Sequence, residues 1–448
     1  MKPFRLPSFF ASTLMVVFLT TTGHAQLNTT FARMFNTFLG EHLTSETPFG
    51  RAFDQRAIEA NNVLVPAFNN MIASNVAAFP LTSTVAGIYF DLSAGDPTMI
   101  TESLGPIYSE TAETVGSRKL NVGFNFAHYS LASFRGLALD DIRFTLTSDD
   151  LSGDGTLGDF SVETESIDIF PNLDIDANTF VAFATYGVTS KLDVGVAVPI
   201  INLSIQGGAR AVINSTSFLE AGAAANGFID PSDPNFVFDP FHPVLEDGFV
   251  YDESATGLGD IAVKLKYAFL RDKKLDLAAL VDIRFPTGKK EDFLGTGKTN
   301  ARFSWIMSRK SGAFSPHLNL SYNYRGADFE SEAVELFAGF DQKLGAKATF
   351  VLDIFGEYDL DADKTISLFP GTRRVVFNQD RQGPARFERD IDLSNIPEYK
   401  RDNTWNASVG FKIAPSQRAL IMANILVPLN DGGLRSNVVP IVGAAITF

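Results

Sequence analysis

The sequence predicts an all-β chain: a transmembrane antiparallel β-barrel of about 14 strands, within a range of 12–16, with a short N-terminal helical plug. Three observations carry this expectation. Apolar and polar residues alternate over segments of 9 to 14 residues through most of the chain. Short turns alternate with long loops. Aromatic residues gather at both ends of the apolar face. The composition agrees: 448 residues, 45% hydrophobic and 20% charged, with 41 Phe. Mean hydropathy is only +0.06, as expected if apolar residues are interleaved one for one with polar ones.

The first element is an address. Lys2 and Arg5 precede an apolar stretch from Phe9 to Leu19, and Gly23-His24-Ala25 offers a small-residue exit. This is a secretory signal peptide over residues 1–25, too short in its apolar run for a membrane anchor, which needs roughly 20 residues. Two stretches of helical period follow. Phe31, Met34, Phe35, Phe38 and Leu39 come after a capping Asn28-Thr29-Thr30, and Phe68, Met71, Ile72 and Val76 come after Pro66. Residues 26–116 therefore read as a plug or periplasmic segment, and residues 82–103 could add a hairpin that raises the strand number to 16.

Residues 117–448 read as the barrel, with strands at 118–127, 138–147, 159–169, 178–188, 191–205, 257–270, 274–286, 299–309, 312–325, 333–341, 346–358, 403–414, 418–429 and 436–448. In the sixth, Ile261, Val263, Leu265, Tyr267 and Phe269 alternate with Lys264 and Lys266; in the seventh, Leu277, Val281, Ile283 and Phe285 alternate with Asp276, Asp282 and Arg284. Only 159–169 alternates poorly. Short turns (Thr189-Ser190, Arg271 to Lys274, Lys310-Ser311, Gln342 to Gly345, Pro415 to Gln417) alternate with long loops at 206–256, 287–298 and 359–402. A soluble sandwich also alternates, but its strands are typically 5–6 residues. These are long enough to cross a bilayer obliquely. Phe285, Tyr322, Tyr324, Tyr358 and Trp405 mark the long-loop rim, and Phe269, Phe314, Phe340, Phe411 and Phe448 the short-turn rim.

The opposite face must then line a lumen. Lys264, Lys266, Asp282, Arg284, Arg302, His317, Asp353 and Glu357 are its expected charged residues, and one opposite-charge pair is expected across the hairpin joining the sixth and seventh strands. The loop at 206–256 holds one cation, Arg210, and eight anions. Its Phe236, Phe238, Phe241 and Phe249 are candidate binding residues, able to capture an apolar solute or to pack inward as a constriction. The 359–402 loop mixes eight cations with nine anions, suited to lipopolysaccharide phosphates or to an internal salt-bridge network.

Resemblance enters through Tyr186-Gly-Val-Thr-Ser-Lys-Leu-Asp-Val-Gly-Val-Ala-Val-Pro199, Thr256-Gly-Leu-Gly-Asp260 continuing to Tyr267, Phe285-Pro-Thr-Gly288, Val427-Pro-Leu-Asn-Asp-Gly-Gly-Leu-Arg-Ser436 and the final Phe448. Over roughly residues 80–448 the chain resembles the outer-membrane family labelled MetA-pathway of phenol degradation, related to long-chain fatty acid and toluene transporters. The resemblance implies a diffusion channel for small, poorly water-soluble organic molecules. A terminal Phe also resembles the signal read by the barrel assembly machinery. Gly155-Thr-Leu-Gly-Asp159 echoes the Gly-Leu-Gly-Asp motif only in part.

Other chemistry has little footing. Net charge is −15, against a nucleic-acid partner. Zero Cys excludes disulfides, thiolate chemistry and a lipidated Cys. Asp149, Asp150, Asp154 and Asp159 could hold Ca²⁺, but the spacing is not that of an EF-hand and an exposed acidic turn is the simpler reading. No metal or cofactor is expected. The expected function is passive uptake of small hydrophobic or aromatic compounds, without catalysis, in the outer membrane of a Gram-negative bacterium. Its partners are outer-membrane lipid, the assembly machinery and the solute. The alternatives are a structural or adhesive barrel with a closed lumen, or a lipid hydrolase built on His128 with Ser130 or His317 with Asn319.

Overall fold

The structure is a computed structural model. It describes residues 26–36, 62, 65–77, 90–91, 98–99, 104, 107–158, 163, 166–214, 246–272, 275–309, 311–326, 331–361, 371–377, 387–399, 401–416 and 418–448. The expected signal peptide, together with Phe38 and Leu39, lies outside the described residues.

Twelve strands close into an antiparallel ring: β1 (Leu120–Phe134), β2 (Leu173–Gly187), β3 (Leu192–Asn214), β4 (Ile261–Arg271), β5 (Asp276–Phe285), β6 (Asn300–Ser308), β7 (Phe314–Tyr324), β8 (Ala333–Lys343), β9 (Ala348–Asp359), β10 (Thr404–Ile413), β11 (Ala419–Pro428) and β12 (Val439–Thr447). Each pairs with its neighbours in sequence, and β12 pairs with β1 from Ile441↔Ala127 to Thr447↔Asn121. The seam is completed by the Leu120 N–H donating to the Phe448 carbonyl at 3.1 Å and the Phe448 N–H returning the bond at 2.8 Å. Closure leaves the ring no open edge.

The ring therefore has twelve strands where about 14 were expected. The segments 138–147 and 159–169 do not cross. They supply the short strands Leu137–Ala138, Phe144–Thr147 and Ser166–Phe170, which with Glu246–Leu258 and Leu434–Ser436 lie outside the ring on the long-loop side. Phe144–Thr147 is buried on both faces, so it has no face to offer lipid. Ser166–Phe170 pairs with the far end of β3, Phe170↔Arg210 to Ser166↔Asn214. The 206–256 loop is likewise strand at both ends, since β3 runs on to Asn214 and pairs with Glu246–Leu258. Within 82–103 the described residues are Phe90–Asp91 and Thr98–Met99, which pair with each other in a sheet separate from the ring.

The strands form because their side chains fit two opposite solvents. In β4 the residues Val263, Leu265, Tyr267 and Phe269 are exposed on the outside, and Lys264 and Lys266 are buried inside. Toward the short-turn side the outward set is apolar around the ring. An aromatic chain runs along the short-turn rim, with ring centroids 5.0 Å apart for Phe314–Phe340, 6.2 Å for Phe340–Phe350 and 5.4 Å for Phe350–Phe411. Tyr322, Tyr324, Tyr358 and Trp405 are exposed at the other rim. An apolar exterior of this kind is a lipid-facing surface.

On β2 and β3 the apolar residues change sides part-way along. Below the change Phe180, Val194 and Val196 face out. Above it Ile175, Ala177, Ile201, Leu203 and Ile205 face in and are buried. The outward positions there are polar and linked across strands: His128 Nδ1 lies 2.9 Å from Asn178 Oδ1, Asn178 Nδ2 donates to Asn202 Oδ1 at 3.4 Å, and Asn202 Nδ2 to Thr256 Oγ1 at 2.7 Å. This polar row marks where these strands leave the apolar band. His128 and Ser130 thus sit on the exterior face, and not on the lumen wall.

Among the described residues the α-helices are α1 (Asn28–Asn36) and α2 (Val65–Ala77). Leu27, Val65, Ile72, Ala73 and Val76 join the buried cluster that includes Leu131, Phe134, Ile175, Ile201 and Leu203. They therefore cover the inward apolar face near the long-loop mouth. Arg33 reaches Glu253 at 3.1 Å, and Asn69 Nδ2 donates to the Asn28 carbonyl at 3.1 Å.

Candidate functional site

The mouth is shaped by a knot of two sequence motifs. Asp260, at the foot of β4, is buried and accepts from the Gly288 N–H at 3.0 Å, the Thr296 N–H at 2.9 Å and the Thr296 hydroxyl at 2.9 Å. Thr287 Oγ1 donates to the Gly259 carbonyl at 2.7 Å and accepts from the Ile261 N–H at 2.9 Å. Thr256–Asp260 and Phe285–Gly288, separate in sequence, are one structural unit. Gly288 and Gly295 are required by contact: a Cβ on Gly288 would lie 2.4 Å from the Leu294 carbonyl oxygen, and one on Gly295 2.4 Å from Asp260 Oδ1. The knot turns Phe293 and Leu294 into the apolar cluster beside the helices, with Phe293 at φ +58°. Replacing Asp260 with Ala strands these donors, a cost of about 1–3 kcal/mol each if they stay buried. Trypsin is therefore expected to cut after Lys289 or Lys290 about ten times faster in D260A than in the native chain; equal rates would show that Asp260 does not hold the loop.

Across the short-turn end runs a strap, residues 107–116, buried along nearly its whole length. It is fixed by side chains of four strands, β3, β4, β6 and β9. The Tyr108 N–H and Ser109 Oγ donate to the Asp353 carboxylate at 3.4 and 2.9 Å. The Ala112 N–H donates to Ser308 Oγ at 3.2 Å and the Val115 N–H to Asp193 Oδ2 at 2.8 Å. Arg271 Nη2 donates to Thr114 Oγ1 at 2.6 Å. Just before the strap, Lys412 Nζ donates to the Leu104 carbonyl at 3.3 Å. Where the strap turns into β1, a Cβ on Gly187 would fall 1.9 Å from the Gly116 carbonyl oxygen, so the two backbones can touch only because Gly187 is glycine.

Glu110 is the strap's charged contact. Its carboxylate lies 3.2 Å from Lys266 Nζ and 3.8 Å from Lys264 Nζ. Burial pushes this carboxyl up, but Lys266 and Lys264 outweigh burial and hold it below the ordinary carboxylate value. Two residues earlier, the Tyr108 ring stacks on Phe355 with centroids 5.1 Å apart, and Phe355 stacks on Phe337 at 4.9 Å.

From Lys264 an ion-paired band continues round the wall. Lys264 pairs with Asp282 at 3.8 Å, directly across the β4–β5 ladder. Asp282 meets Arg302 at 3.3 Å, and Arg302 meets Glu335 at 3.4 Å. Asn323 Nδ2 donates to Glu357 Oε2 at 3.2 Å, and Arg325 pairs with Glu357 and, at 3.9 Å, with Asp359. Arg284 shares this inward face. His317 is clamped between carboxylates, Nε2 at 2.6 Å from Asp353 Oδ1 and Nδ1 at 3.4 Å from Asp341 Oδ1. The structure thus brings Lys264, Lys266, Asp282, Arg302 and Glu357 into one network and joins His317 to Asp353. The described lumen is two-sided: apolar on the upper parts of β1–β3, charged on β4–β9.

The strap carries the residues that the sequence reading missed, Tyr108 and Glu110. Residues 107–116 show neither helical nor strand period. The available sign was Lys264 with Lys266: two ammonium groups two residues apart on one buried face repel unless an anion lies between them. Of the Phe candidates, Phe249 is partly buried against the helix-capped cluster, 5.9 Å from the Tyr251 ring. Phe236, Phe238 and Phe241 lie outside the described residues. In the 359–402 loop, Arg374 pairs with Asp390 at 2.8 Å. In the acidic turn, Asp150 accepts from the Gly155 N–H at 2.6 Å and the Gly153 N–H at 2.7 Å, and these bonds, Gly155 foremost, hold its carboxyl below the usual range. Among the described residues no group of three or more His, Asp or Glu side chains is placed to hold a metal ion.

The motifs tied together at Asp260 fall within a longer match. A family model described as "Putative MetA-pathway of phenol degradation" matches residues 154–431, more than half of the chain. The chain belongs to this family. No curated protein matches it. Among solved structures, the MetA-pathway family chain is similar to the COG4313 outer membrane channel from Pseudomonas putida F1, at 10% identity and TM-score 0.40, covering 76% of this chain and 99% of that one. It is similar to the P. putida toluene transporter TodX at 12% identity and TM-score 0.34, covering 74% of this chain and 90% of that one. It is also similar to the CymD monoaromatic hydrocarbon channel at 10% identity and TM-score 0.35, covering 74% and 89%.

Proposed function

We propose that this protein is a passive channel of the outer membrane of a Gram-negative bacterium for small hydrophobic or aromatic compounds, with residues 26–116 as its internal plug, and that it catalyses no reaction. The supporting observation is the closed ring with a lipid-facing exterior and a two-sided lumen into which Tyr108 to Gly116 are folded. A packed, featureless interior would suffice to brace a structural barrel. Here an apolar sector, covered by α1 and α2, lies near a charged wall covered by residues 107–116. Of the two hydrolase sets, the one on His317 is disfavoured because two carboxylates hold that ring, whereas His128 and Ser130 stand on the outer face with Asn178 against His128.

The closed-lumen structural barrel is the second reading, favoured by the ion pairs that knit β4 to β9 and by the cluster that α1 and α2 complete at the mouth. Proteoliposomes separate the two. Uptake of labelled phenol, benzoate and a long-chain fatty acid is expected to exceed that of protein-free liposomes, and deletion of residues 26–80 is expected to raise it. No permeation by any solute, with or without residues 26–80, sinks the channel and leaves the structural barrel.

A further inference from the structure

We propose that Tyr108 and Glu110 occupy the places of a solute's ring and carboxylate, so that the lumen takes small aromatic carboxylates, which bind by displacing the strap. The inference rests on the channel reading above and names its solute class. Phe337 and Phe355 belong to the wall, and Tyr108 completes a three-ring stack from the strap side. Lys264 and Lys266 belong to the wall, and Glu110 bridges them from the same side. The two strap residues are two apart in sequence, so their Cα atoms lie at most about 7 Å from each other. A molecule taking both places would carry its ring and its carboxylate on a linker matched to the reach of the two side chains beyond those Cα atoms.

The strap's remaining polar contacts are hydrogen bonds that water can replace once it leaves the wall: Tyr108 and Ser109 to Asp353, Ala112 to Ser308, Val115 to Asp193, and Thr114 from Arg271 and to the Ser190 carbonyl. The ring slot and the lysine pair are different. Lys264 and Lys266 are both buried, and bare ammonium groups at such positions are costly. A solute with only a ring costs both lysines the Glu110 carboxylate, although Lys264 keeps Asp282, and one with only a charge leaves the aromatic slot empty. Selectivity for both groups in one molecule follows from those two penalties together.

Calorimetric titration of the full chain in detergent tests this with three probes: 3-phenylpropionate, benzyl alcohol and acetate. Phenylpropionate is expected to bind saturably and at least about tenfold tighter than either of the others. Removing the internal competitor with Glu110→Gln is expected to tighten phenylpropionate about tenfold further. Lys266→Met should abolish that binding; should this variant not give the folded, heat-modifiable form on electrophoresis, Phe355→Leu is expected to weaken phenylpropionate and leave acetate unchanged. Equal binding of benzyl alcohol and phenylpropionate, or an E110Q variant that binds phenylpropionate no better than the native chain, overturns the inference. Uptake of other solutes into proteoliposomes alongside that negative result leaves the channel intact, whereas absence of all permeation with the binding pattern present removes the channel alone.

Discussion

Asp282→Ala is expected to destabilise the folded barrel by about 3–5 kcal/mol, the range for removing one partner from a buried ion network. Asp282 is buried and touches two cations, Lys264 at 3.8 Å and Arg302 at 3.3 Å. Its loss leaves both inward-facing on β4 and β6, next to a wall that still holds Arg284. Asp282→Asn keeps the shape and one oxygen acceptor but loses the charge, so its cost should be smaller. Urea unfolding in lipid vesicles measures the difference. A loss under about 1 kcal/mol for the Ala variant would mean that the lumen is wet enough to behave as an exposed surface, where ion pairs contribute little.

The second large effect is expected from Leu265→Arg. Leu265 is mid-strand on β4, 46% exposed, and faces lipid in the reading above. An arginine near the bilayer midplane of a barrel costs about 2–4 kcal/mol. The matched control is Asn202→Arg, also outward, but in the polar row with Asn178 and Thr256 where β3 has left the apolar band. Its cost should stay within about 0.5 kcal/mol, as for an ordinary surface change. Equal losses at the two positions in the same vesicle unfolding experiment would show that the change of face on β3 is not the membrane boundary.

Much of this was legible because it is local. The alternation along residues 260–270 and 274–286 sets which side each residue faces, and the short connection leaves few registers, each with an opposite-charge pair; the fold takes the one that sets Lys264 opposite Asp282. Strand number was less legible, since 138–147 alternates well enough to read as a crossing strand. What excludes it is the cover on both faces of Phe144–Thr147, supplied by segments distant in sequence. The change of sides on β3 was visible as Val194, Val196, Val198 and Ile200 giving way to Ile201, Leu203 and Ile205, a slip of one in the apolar set. Its meaning depends on the helices that cover the inner face. The strap could not be read from its own residues; its one outside sign was the Lys264 and Lys266 pair that Glu110 answers. Its hydrogen-bonding partners, Asp193, Ser308 and Asp353, lie 78, 196 and 244 or more residues away, and nothing in Ser109-Glu-Thr-Ala-Glu113 announces them.

The position of the strap immediately before β1 also constrains how the molecule is made. The seam joins β1 to β12, so Thr447 meets Asn121 only after more than 300 intervening residues have been laid down. Pairings of such separation are slow to form. Residues 107–116, upstream of the seam yet inside the finished ring, have two routes to their place: the wall closes around them, or they enter afterwards through the short-turn mouth. In the first case the strap acts as a mandrel for the nascent wall, with Glu110 neutralising Lys264 and Lys266 before those lysines are sealed in. In the second, the two lysines must wait hydrated until it arrives. The same carboxylate that occupies the finished lumen is in the first case a folding aid, and biogenesis and transport then draw on a single contact.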